Sequence, residues 1–326
     1  MIVSIFKKNY FLQLVLLLIV PLLLWMPAFI NSPQILDKGS SDMPLYDVVC
    51  NIFPSQNAIN SIFAFILVIL HGFLINYLCT FYQLSQKTSF FPAFIYILLM
   101  SSDYRFMTLS SILLANTFII LSVFTFLRCY NKKEGLDEIF LSTILLSIGT
   151  LFYSPTILLM IWIWIGLFNF KIYKLRSFLV SIFGYITPFV VLFVYYYLSN
   201  NTEAIQNFAK NHFALLPNFN FLNQPIQIVY ITYLFLLTLP AFAITLWYRN
   251  DQKLSVRKRI STILLLFAIS ILPFFYDLTS PTMTLIFAPS LSYILSVFFF
   301  SIKRNIYSDT YIIVLAILTV VKIFIN

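Results

Sequence analysis

IFLSTILLSIGTLFYSPTILLMIWIWIGLFNFKIYKLR, residues 139–176, is almost unbroken apolar sequence interrupted at Tyr153-Ser154-Pro155. A helix rises about 1.5 Å per residue and the hydrocarbon core of a bilayer is about 30 Å thick, so one crossing takes roughly 20 apolar residues. The tract is too long for one crossing and short for two. One helix kinked at Pro155 would carry Lys171, Lys174 and Arg176 to the side opposite Lys132 and Lys133. Two short segments, 139–152 and 156–170, keep all five cations together. Short loops rich in Lys and Arg resist translocation, so the expectation is two segments turning at Tyr153-Ser154-Pro155.

The same rule organises the rest of the chain. With 61% hydrophobic and 10% charged residues over 326 positions, repeated apolar runs cannot all hide in one water-soluble core. The expected fold is an all-α polytopic transmembrane bundle, residues 1–326 forming one membrane domain. It has about eleven membrane segments: 10–30, 58–80, 89–100, 109–127, 139–152, 156–170, 177–198, 226–247, 260–276, 284–301 and 309–325. The run from Tyr10 is too long for a cleaved signal and is expected to be a retained first span. Threaded from a cytoplasmic N-terminus, the chain leaves only Lys38, Arg105, Lys210 and Lys322 of its 20 Lys and Arg outside. The expected location is therefore a bacterial inner membrane, N-terminus cytoplasmic and C-terminus periplasmic. Cations spread beside apolar spans suit anionic lipid headgroups as partners, not nucleic acid.

Segments 89–100, 139–152 and 156–170 are too short to cross, so they are expected as short or re-entrant helices. Backbone that stops inside a bilayer must be covered by protein or face water, which points to an outward vestibule in the middle of the chain. Two long outer loops, 31–57 and 199–225, are placed to fold over it. In the first, Leu45, Val48, Val49 and Ile52 fall on one face at helical spacing, predicting a surface helix. Tyr195-Tyr196-Tyr197 fits an interfacial aromatic belt.

Soluble-enzyme signatures are absent: no GxGxxG, no Walker lysine loop, no HExxH, no CxxC. Cys50, Cys79 and Cys129 fall at three different depths and read as neither disulfides nor a metal cluster. His71 inside the second span is expected to make a helix-packing hydrogen bond. The spans hold few ionisable groups, with Lys322 close to a helix end, which disfavours ion-coupled transport.

The outer polar residues carry what chemistry the sequence offers. Asp42 and Asp47 sit in the first loop, and Asp103 and Arg105 in SSDYRFM directly after a segment that ends early. A carboxylate at a membrane surface can act as a general base, hold a divalent cation or simply be hydrated. Arg105 offers a planar fork suited to phosphate, or it neutralises Asp103. Lys210 and His212 occupy the second loop, where solvated positions are the ordinary expectation.

SSDMPLYD (Asp42 to Asp47), SSDYRFMTLSSILLAN (Asp103 to Asn116), the LFYSP turn and FYDLTSPTMTLIFAPSLSYIL (Phe275 to Leu295) together resemble the C-type glycosyltransferase superfamily. The chain is also similar to a family of polytopic Bacteroidota membrane proteins, a likeness that implies no activity. The first resemblance implies an enzyme that takes a sugar from a polyprenyl-phosphate-linked donor at the outer face. It would make Asp42 the general base or metal ligand and Asp103 its helper. Arg105 or Lys210 would contact phosphate, and Asp47 and His212 would line the substrate site. The alternatives are a non-catalytic membrane subunit or scaffold with membrane-protein partners in envelope assembly, or a lipid or solute transporter.

Overall fold

A computed structural model describes residues 2–8, 10–31, 33, 43–52, 58–85, 89–199, 225–272, 285–302 and 305–325. Asp42, Lys210, His212, Asp277 and most of both long outer loops lie outside the described residues.

The described chain is helical throughout, with no strand. It comprises α1 (Ile2–Lys8), α2 (Tyr10–Ile30), α3 (Pro44–Ile52), α4 (Ala58–Phe81), α5 (Phe91–Met100), α6 (Ser111–Phe126) and α7 (Leu136–Thr150). It continues as α8 (Leu159–Asn169), α9 (Leu175–Leu198), α10 (Pro225–Asn250), α11 (Leu254–Ser270), α12 (Ala288–Ser301) and α13 (Asn305–Ile325). Among the described residues, six segments are long and apolar enough to cross a bilayer: Tyr10–Ile30, Ala58–Phe81, Ser111–Cys129, Leu175–Leu198, Ile226–Asn250 and Ile306–Ile323. Their outer faces leave side chains such as Phe11, Leu23, Phe183, Val191, Leu236 and Ile317 more than half exposed, a surface that needs lipid to cover it.

The deciding stretch folds as two segments. α7 ends at Thr150, Pro155 opens a 3-10 turn over Ser154–Leu158, and α8 runs back. Phe170 returns to within 5.4 Å of the Phe126 ring and 5.7 Å of the Tyr130 ring. Lys174 and Arg176 both reach Glu134. A helix continuing past Pro155 would have left these partners a membrane thickness apart.

α5 is the centre of the bundle. All ten of its residues are buried, as expected of a helix that is apolar on every side. It is packed between α2, α4, α12 and α13. At about 15 Å it reaches only half-way through a bilayer. Its last turn is tied off where the Trp25 indole donates to Ser101 Oγ at 2.8 Å, both groups buried. Trp25→Phe is expected to lower stability by about 1 kcal/mol. Thermal unfolding in detergent checks this, and an unchanged midpoint would show that Ser101 finds another partner.

α3 forms where the apolar spacing placed it. The Tyr46 hydroxyl donates to the Leu109 carbonyl at 3.1 Å and Leu45 N–H to the Leu151 carbonyl at 3.2 Å, while Val48 and Ile52 stay exposed. These bonds bring α3, the start of α6 and the end of α7 to one end of the bundle. The other end is marked by Val3 N–H donating to Asp309 Oδ1 at 2.8 Å and by Phe91 stacked on Phe300 at 4.8 Å.

Candidate functional site

The chain between α5 and α6 is a buried irregular segment. Ser101 closes α5, Tyr104–Phe106 makes one 3-10 turn, and Ser110 opens α6 by accepting from Leu113 N–H at 3.3 Å. Asp103 sits in this segment with no exposed surface. Lys322, from the last turns of α13, is 2% exposed and brings its Nζ to 3.2 Å from Asp103 Oδ2. Two aromatic faces complete the enclosure: the ammonium lies 4.9 Å from the Tyr230 ring centre and 5.6 Å from that of Phe106. Carboxylate and ring faces together replace the water that an ammonium loses on entering an apolar interior.

Both charges therefore have a reason to be there, but the surroundings are not fully satisfied. The Tyr230 hydroxyl lies near Ser102 without a hydrogen bond of good geometry, and Thr108 Oγ1 is likewise buried without a partner. A small cavity lined by Leu99, Ser102, Tyr230, Leu234, Leu285 and Phe287 adjoins the tyrosine, with room for about one water molecule. Chemically the site offers one acid, one fixed cation and the Tyr230 hydroxyl in a buried enclosure.

This corrects the sequence expectation at two points. Asp103 was expected near or slightly below the outer surface, yet α13 and the flanking helices cover the break after α5, so Asp103 is fully interior. Lys322 was discounted as a helix-end residue, yet it is the buried cation that neutralises Asp103. Arg105 lies in the Tyr104–Phe106 turn, and its side chain is outside the described residues. Asp47 is exposed on α3, at the same end of the bundle and near Tyr196. The structure thus brings Asp103 and Asp47 to one end but gives them different environments. Among the described residues no three His, Cys, Asp or Glu gather as metal ligands. An ammonium at 3.2 Å also stands where a divalent cation on Asp103 would be repelled.

His71 is a further buried polar group of the spans. Its Nδ1 lies 3.0 Å from the Tyr96 hydroxyl and its Nε2 2.7 Å from Thr117 Oγ1, so both ring nitrogens are occupied in tying α4 to α5 and α6. That is the packing role expected of it.

No family model, no curated protein and no solved structure matches the chain.

Proposed function

We propose that the protein is an inner-membrane glycosyltransferase-like enzyme of eleven membrane segments, with its N-terminus in the cytoplasm. It would transfer a sugar from a polyprenyl-phosphate-linked donor at the periplasmic face. The observation that carries the reading is the buried Asp103–Lys322 pair at the end of the bundle opposite the Lys132, Lys174 and Arg176 cluster. Burying two charges in a bilayer protein is expensive, and such residues usually mark a functional position.

In this mechanism the acceptor hydroxyl oxygen bonds to the anomeric carbon as that carbon's bond to the phosphate oxygen breaks. The phosphate leaves with the electron pair. Lys322, with Arg105 or Lys210 as a further phosphate contact, stabilises the charge that develops on it. Asp103, released from Lys322 as the ammonium turns to the phosphate, accepts the hydroxyl proton, with Asp42 as the alternative base.

A second reading has its own support: Asp103 and Lys322 already neutralise each other inside a closed enclosure, as in a non-catalytic subunit whose pair only locks α13 to the bundle. Exchanging the two charges separates these. Asp103→Lys/Lys322→Asp keeps an ion pair but puts acid and cation in each other's places. The purified protein in proteoliposomes, given a panel of polyprenyl-phosphate monosaccharides, is expected to release polyprenyl phosphate, and the exchanged variant to lose at least 100-fold in that rate. A wild-type protein that consumes no donor, with an exchanged variant that still complements a gene deletion, would establish the subunit.

A further inference from the structure

The opposite end of the bundle holds a second arrangement that the catalytic proposal leaves unused. Arg259, from α11, lies 4.7 Å over the Tyr82 ring and 5.5 Å from the Tyr130 ring. Arg128, just past α6, lies 4.5 Å over the Phe124 ring. Tyr82 joins the two, since its hydroxyl donates to the Phe124 carbonyl at 2.6 Å and both guanidiniums lie close enough to act on it. Stacking on a ring uses the flat face of a guanidinium and leaves its N–H edges for acceptors in its plane. Arg259 Nε is buried with no hydrogen-bond partner.

Two acids at this end are already engaged. Glu138 pairs with Lys132, and Glu134 pairs with Lys174 and lies 4.0 Å from Arg176. The hydrogen bond from Lys174, with its charge and that of Arg176, holds the Glu134 carboxyl below its ordinary range. Among the described residues no carboxylate lies within ion-pair distance of Arg128 or Arg259. Two like charges fixed around one tyrosine repel, and the arrangement lacks an anion.

What lies beneath the cations says which kind. Tyr77 and Phe81 of α4 are each 53% exposed and pack with Phe124, at 5.6 and 5.5 Å, into an apolar face directly below the guanidiniums. On the adjoining helix ends, Thr80, Gln83, Gln252 and Lys253 line a cavity of about 350 Å³, a size suited to a polar headgroup. Cations above, polar room beside and aromatic surface below match a phosphate that carries acyl chains. The geometry points to a binding site for an anionic phospholipid, its phosphate held by Arg128 and Arg259 across Tyr82 and one chain laid along Tyr77 and Phe81.

The shared chemistry is a phosphate anion, so the test must separate a lipid from the free ion. The full-length protein in a neutral detergent is titrated with phosphatidylglycerol, phosphatidylethanolamine or inorganic phosphate, following thermal stability and lipid adducts by native mass spectrometry. Phosphatidylglycerol is expected to stabilise the wild type and the other two not. Arg128→Gln/Arg259→Gln should weaken that effect at least tenfold. Arg128→Gln alone, at an exposed position that the fold does not need, should weaken it at least threefold. Lys132→Gln, a cation already paired with Glu138, should leave it unchanged. If inorganic phosphate stabilises as well as the lipid, or if Lys132→Gln does as much as Arg128→Gln, the lipid site is wrong.

Discussion

Asp103→Leu and Lys322→Met, made singly, should each cost about 3–5 kcal/mol of stability, because each leaves its former partner as an uncompensated charge in a buried interior. The double apolar replacement, Asp103→Leu/Lys322→Met, should recover most of that loss. A buried ion pair gains little over well-packed apolar groups of similar size, since desolvation consumes most of its Coulomb energy. The measurable quantity is the coupling energy of the double-mutant cycle, read from unfolding in mixed detergent and urea. A coupling near zero would mean that the two side chains do not meet. The Asp103 single variant should also accumulate poorly in the membrane, because Lys322 would enter the bilayer without its counter-charge. A functional role makes a further demand: the apolar double variant should be stable and inactive, whereas a merely structural pair would leave it active.

What the sequence disclosed depended on whether the signal was local. The turn at Tyr153-Ser154-Pro155 was legible because the flanking cations fix the side on which both ends lie; proline alone does not decide, since Pro21, Pro27, Pro188 and Pro240 all sit inside helices. α3 was legible because apolar spacing within nine residues reports its own periodicity. Asp103 stood out for a local reason too, following a segment that ends early. Its partner was hidden because Lys322 is separated from it by most of the chain and lies in a helix whose composition says only that it can cross a membrane. One sequence signal did exist: a lysine inside the last span needs an opposite charge, and Asp103 is an acid expected on the same side. The cover over the break after α5 was hidden for the complementary reason. A helix that stops inside a bilayer can be covered by neighbours or by water, and sequence spacing does not choose between them; here α12 and α13 supply the cover.

Gly184→Leu should detach α9 from the bundle. Of the six long spans α9 is the least enclosed, with 17% of its apolar window buried, so most of its surface belongs to lipid and one narrow stripe holds it in place. That stripe is Ser177, Ser181 and Gly184, all buried. Lipid is as apolar as the helix, so association rests on close backbone approach and interhelical hydrogen bonds, and small residues permit both. The approach is close enough that a Cβ on Gly184 would come within 2.2 Å of Thr143 Oγ1 and 2.9 Å of the Phe140 carbonyl oxygen. Two bonds depend on it: Ser147 Oγ donates to the Tyr185 carbonyl at 2.6 Å and the Tyr185 hydroxyl to Thr150 Oγ1 at 2.8 Å. Gly184→Ala is expected to cost about 1–3 kcal/mol, the usual range for overpacking. Leucine should exceed that, losing both hydrogen bonds and exposing the 175–198 segment to proteolysis in detergent. Adding Thr143→Ala to Gly184→Ala should restore part of the loss, since the hydroxyl is the nearer obstacle, but not all of it, because the Phe140 carbonyl cannot move without its own helix. A Gly184→Leu protein that melts with the wild type would show that α9 is held elsewhere.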